Sequence, residues 1–148
     1  MLYPYKQKLY TLNSNLIMKK IFYWLPRLIA SVILLQTLYF KFGAHPESVH
    51  LFTQLGVEPY GRIGTGIIEL ILAILLLIPK TSLYGAIGTV GVMIGAIFSH
   101  FLVLGVNIGD GGTLFILAIV VLISALIVLY QEKEGLFKLK NKFLPSLL

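Results

Sequence analysis

The chain has 148 residues, of which 57% are hydrophobic and only 12% charged, with a formal net charge of +6 and no cysteine. A soluble domain is charged at about a quarter of its positions, so this composition argues for a polytopic membrane protein. The absent cysteines exclude a thiol or disulfide relay, a thiolate zinc site and iron–sulfur ligation by the chain itself, and the basic residues cluster at the chain ends rather than on an aromatic-interleaved face, which argues against nucleic acid.

Four apolar runs each suffice to cross a hydrocarbon core of about 30 Å at about 1.5 Å per residue. They fall near residues 22–43, 62–79, 82–104 and 113–130. The pattern predicts an all-α four-helix membrane bundle, with a basic arm at residues 1–21 and a basic amphipathic tail at 131–148. Met18, followed by Lys19 and Lys20, is a second plausible translation start besides Met1. The first apolar run is too long for a secretory signal and lacks a small-residue cleavage site, so it is expected to be retained.

Lys6, Lys8, Lys19, Lys20 and Arg27 precede or open the first span, Lys80 sits between the second and third, and Lys133, Lys138, Lys140 and Lys142 follow the fourth. Residues 44–61 and 105–112 contain neither Lys nor Arg. The positive-inside rule therefore predicts cytoplasmic N and C termini, and the lipid bilayer is the first partner implied.

An ionisable side chain near the bilayer centre costs about 2.5–3.5 kcal/mol on insertion scales, so each one needs a partner or a wet cavity. Glu69 lies roughly 10 Å inside the second span by the helical rise. Lys41 closes the first span and His100 lies near the end of the third, so all three fall in the outer half. At 100° per residue, Arg27, Ser31, Leu34, Leu38 and Lys41 form one stripe, and Arg62, Thr65, Glu69 and Ala73 another. A Lys41–Glu69 ion pair is expected. Arg62 competes as a partner, but its side chain should lean toward the helix start, away from Glu69. Gln36 falls opposite its stripe and receives no role.

On the third span, Gly88, Gly91 and Gly95 share a face suited to close helix approach, either within the bundle or in a homo-oligomer. His45 and His50 are weak metal candidates, because their spacing of five matches neither helical chelation nor a known zinc pattern. In NIGDGGT, residues 107–113, Asp110 or Thr113 is expected to cap the fourth helix, with glycines supplying positive φ.

The combination FKFG closing the first span, FTQLGVEPYGRIGTGIIELILAILLLIP, SHF late in the third span and GDGGTLFILA opening the fourth resembles the DoxX family of small bacterial membrane proteins. That family lies in a wider grouping similar to the small subunit of thiosulfate:quinone oxidoreductase. The likeness covers about residues 22–130 and is carried by Lys41, the LGxxP turn at 55–59, Glu69 and His100. It implies a four-helix, multi-pass protein of the bacterial inner membrane, often associated with redox or stress physiology, with most members lacking an assigned reaction; the chain itself is read as a binding or accessory subunit rather than a stand-alone enzyme. No resident cofactor is implied by the residues, so any electron transfer would require a bound quinone or a redox partner subunit.

The first functional expectation is a pocket formed by Lys41, Glu69 and His100 for a small amphipathic ligand such as a quinone, with Arg62, Thr65 and Asp110 as secondary candidates. The alternatives are a small proton-coupled transporter in which Glu69 changes charge, and a scaffold whose polar residues only fix helix packing.

Overall fold

The computed structural model describes residues 3–105, 112–135 and 137, with side chains from residue 12 onward. It is an all-α bundle whose helices are α1 (Tyr3–Phe42), α2 (Pro46–Gln54), α3 (Tyr60–Leu77), α4 (Ser82–Ser99) and α5 (Thr113–Gln131). A π-helical turn, His100–Leu104, extends α4. Among the described residues, four segments are long and apolar enough to span a membrane: Leu12–Phe42, Tyr60–Leu77, Ser82–Leu104 and Thr113–Gln131. The bundle packs α1 on α3 and α5, and α4 on α3 and α5. Its centre is a small-residue and aliphatic core of Ala30, Leu34, Ala73, Leu76, Ala86 and Val121. Much of the large aliphatic surface, including Val32, Ile71, Ile94 and Ile123, faces outward. That is the distribution expected where lipid replaces water as the solvent.

Helix α1 does not begin near residue 22 but runs on from Tyr3, so its 40 residues rise about 60 Å, twice the hydrocarbon thickness. Pro26 lies inside it. A proline there has no N–H for the carbonyl four residues earlier, which is that of Phe22. Gln131 Nε2 donates to Phe22 O at 2.8 Å, supplying the missing bond from the end of α5. Beside it, Arg27 is fully buried, its guanidinium 3.7 Å from the Tyr23 ring centroid. Arg27 donates to Tyr23 O and Gln131 Oε1, and at 2.8 Å to Glu132 Oε1, which also accepts from Ser82 Oγ at 3.1 Å. Three chain positions far apart in sequence are thereby tied at one end of the bundle. Residues 131 and 132 belong to this tie, whereas most of the basic tail, with Lys138, Lys140 and Lys142, lies outside the described residues.

At the other end, the segment between the first two spans contains a helix that span-length reasoning passes over. Pro46 occupies the first turn of α2, where its missing N–H costs nothing, and Glu47 complements the helix dipole. The helix stops in a Schellman arrangement: Gly56 N–H donates to Thr53 O, Val57 N–H donates to Phe52 O, and Gly56 has φ +72°.

The glycine contacts on α4 fall earlier than the sequence pattern suggests. A Cβ on Gly85 would stand 2.8 Å from Leu76 N, and one on Gly88 would stand 2.4 Å from Leu72 Cδ2, so these two glycines admit α3. Gly91 and Gly95 have no neighbour within 4 Å of that position. The close approach depends on which face meets α3, and the periodicity of a glycine-rich helix does not by itself locate that face.

Candidate functional site

The site is built where α2 caps the bundle. At the end of α1, Lys41 is half-buried and its stem lies over α3 beside Gly66, whose missing side chain makes room for the Phe42 ring: a Cβ there would stand 3.0 Å from that ring, and at an ordinary contact distance of 3.6 Å from Lys41 Cβ. The lysine stem therefore reaches along α3 toward Glu69, whose side chain is only 6% exposed. Lys41 Nζ forms an ion pair with Glu69 Oε2, so the pairing expected from helical phase is present. Pairing offsets part of the desolvation that each charge would suffer alone.

Thr37, which the sequence reading did not single out, completes the group. Its hydroxyl lies 2.8 Å from Glu69 Oε2 and 2.8 Å from Leu34 O, and its oxygen is 3.4 Å from Lys41 Nζ. The signal was available, since Thr37 is one turn before Lys41 on the same helix face. Among the described residues, the contacts to Glu69 from Lys41 Nζ and the Thr37 hydroxyl both reach Oε2.

Arg62 does not compete for Glu69. Its Nε donates to the two Glu58 carboxylate oxygens at 2.9 and 3.0 Å, and Nη2 lies 2.8 Å from Oε1. Nη1 donates to Lys41 O, satisfying one of the carbonyls left open at the end of α1. Arg62 is thus a brace that fixes the backbone of Lys41. Thr65 donates to Gly61 O at 2.8 Å or Arg62 O at 3.1 Å, so its hydroxyl is bound to its own helix although the residue borders the cavity.

His100 is buried and opens the π turn, which closes with Gly105 N–H donating to His100 O at 2.7 Å and Gly105 at φ +77°. Single π turns in α-helices recur at functional sites because they re-aim one side chain without ending the helix. The ring stacks edge-on against Phe115, centroids 5.5 Å apart, and Nδ1 lies 3.0 Å from Gly105 O. A carbonyl oxygen can only accept, so this contact places the proton on Nδ1 and makes Nε2 the acceptor nitrogen of the neutral ring.

Lys41, Glu69 and His100 border one cavity of about 640 Å³, which reaches from α2 down to the level of Leu34, Met93 and Val121. Its walls are mostly apolar, with a few polar groups gathered toward the α2 end. That is the usual construction of a site for a small molecule with a polar head and a greasy body. Gln36 and Glu47 also border it.

The two loop histidines are not brought in. His45 precedes α2 with its ring 5.1 Å from that of Phe40 and its Nδ1 buried without a hydrogen-bond partner among the described residues, while His50 is exposed on the helix. Among the described residues, no group of three or more potential ligands is positioned to hold a metal ion. Asp110 lies outside the described residues; the cap position of α5 is Gly112, with φ +84° in the left-handed region that glycine favours.

Fold and cavity together define a multi-pass, four-helix membrane protein with a polar-headed internal site near one end. Its family follows from sequence comparison: the chain belongs to the DoxX-like family, whose model matches residues 27–128. The match takes in the bundle from Arg27 onward and includes Lys41, Glu69 and His100. Comparisons with curated proteins and with solved structures found no match.

Proposed function

We propose that this protein is a binding or accessory subunit of the bacterial inner membrane, holding a small amphipathic ligand such as a quinone in the cavity of Lys41, Glu69 and His100. The observation that supports this most is the cavity itself: about 640 Å³ of mostly apolar space with an ion pair and a buried histidine on its walls. A scaffold gains nothing from leaving such space unfilled, since empty volume forfeits packing contacts. Lys41 and Thr37 orient Glu69, and His100 and Glu69 are the groups that exchange protons with a bound hydroxyl or carbonyl head. Electron transfer, on this reading, belongs to the ligand and to a redox partner subunit.

The test is extraction of the purified protein and measurement of co-extracted quinone, for wild type, Glu69→Gln and His100→Ala. Stoichiometric quinone in wild type and at least about tenfold less in both variants, on the scale of a lost charged hydrogen bond, is the expected result. Absence of bound quinone together with proton or solute flux in proteoliposomes that Glu69→Gln abolishes would replace it with the transporter reading.

A further inference from the structure

At the opposite end of the bundle from the cavity, a groove of about 710 Å³ lies between the emerging part of α1 and the end of α5. About 20 residues cross the hydrocarbon, so counting back from Phe42 and on from Thr113 puts its boundary near Phe22 and Glu132. Tyr23, Trp24 and Tyr130 fall at that level, where the aromatic side chains of spanning helices gather. The groove therefore sits in the headgroup layer.

Helix α1 supplies one wall from a single face, on which Asn15, Met18, Lys19 and Phe22 recur at helical spacings of three and four. The other wall includes Tyr130 and Lys133. The two are tied together, since Gln131 donates to Phe22 O and accepts from Arg27, so the groove does not have to be assembled when a ligand arrives. Much of its lining is apolar and open: Met18 and Phe22 are each 60% exposed and Tyr130 68%.

The charge on these walls is unspent. Lys19 and Lys133 are exposed, and among the described residues neither forms an ion pair. Residues 1–26 hold four lysines and no Asp or Glu, and residues 131–148 hold four lysines with Glu132 and Glu134 as their only acidic side chains. Glu132 is engaged by Arg27 and Ser82, and Glu134 does not border the groove. Lys133 Nζ instead stands 5.2 Å from the Tyr130 ring centroid. The positive-inside rule accounts for lysines at this end, but not for two of them flanking one apolar groove between helices.

We propose that this groove binds an anionic phospholipid, with its phosphate held by Lys19 and Lys133 and its glycerol and upper acyl chain on Met18, Phe22 and Tyr130. A free anion would use the lysines and leave the apolar lining in water, whereas a lipid of the adjoining leaflet uses both. Basic pockets between spanning helices recognise lipid headgroups in this way. The site is independent of the cavity beside Glu69.

The test titrates the full-length protein, in an uncharged detergent at low salt, with short-chain phosphatidylglycerol, with phosphatidylcholine of the same chain length and with inorganic phosphate. Phosphatidylglycerol is expected to saturate a single site and to bind at least about tenfold more tightly than either of the others. Lys19→Gln and Lys133→Gln should each weaken it about fivefold. Lys80→Gln, which removes an exposed lysine at the same end of the bundle but outside the groove, should change it by less than about twofold. Equal losses in all three variants would reduce the effect to the general charge of this end and overturn the site. Phosphatidylcholine binding equally well would overturn selection by charge, and phosphate binding as tightly as the lipid would replace the lipid with a free anion.

Discussion

Lys41 and Glu69 show what a single residue must satisfy inside a membrane. Each side chain is mostly buried, at 13% and 6% exposure, so removing either one strands the other as an uncompensated charge. Loss of one partner of a buried pair costs about 3–5 kcal/mol, while replacing both by apolar groups of similar volume is often neutral or stabilising. Lys41→Met and Glu69→Leu should therefore each lower the thermal midpoint in detergent, and the double variant should recover most of the loss. A double variant as unstable as the sum of the singles would mean that the two charges act independently, against the geometry. The pair was legible in the sequence because charge and helical phase are both written there. Gly66 and Thr37 were not singled out, because a glycine that accommodates the Phe42 ring and a threonine that shares a carboxylate become meaningful only when α1 and α3 are in contact.

At the scale of elements, the spans were readable because twenty apolar residues carry their own signal, whereas their mutual faces were not. Gly85 is the close-approach glycine against the backbone of Leu75 and Leu76, while Gly91 has open space around it. Gly85→Ala should cost about 1–3 kcal/mol, the scale of overpacking against an immovable neighbour. Gly91→Ala should be neutral or stabilise by up to about 1 kcal/mol, since it adds helix propensity without a clash. Thermal midpoints of the two variants in the same detergent check this, and similar losses in both would place an additional contact at Gly91. Helix α2 teaches a different lesson: its proline start and its glycine stop were present in the sequence, but nine residues are too few to register as a span. The continuity of α1 through Pro26 could not be read locally either, because the bond that compensates the proline comes from Gln131, 109 residues away from Phe22.

Across the whole molecule, the connection of four spans and the tie between Arg27, Ser82 and Glu132 put the start of the spanning part of α1, the α3–α4 turn and the end of α5 at the same end of the bundle. That end also carries Lys19, Lys20, Lys80 and Lys133. At the α2 end the two cations are engaged, Lys41 by Glu69 and Arg62 by Glu58, so the charge asymmetry is sharper than a count of basic residues suggests. Cytoplasmic loops retain Lys and Arg because translocating them is unfavourable, and this asymmetry sets orientation. Both chain ends are accordingly expected in the cytoplasm, with the cavity opening toward the outer face. Alkaline phosphatase, which is active only after export, should be inactive when fused after Tyr130 and active when fused after Gly56, beyond α2. The reverse pattern would invert the protein in the membrane and turn the polar end of the cavity toward the cytoplasm.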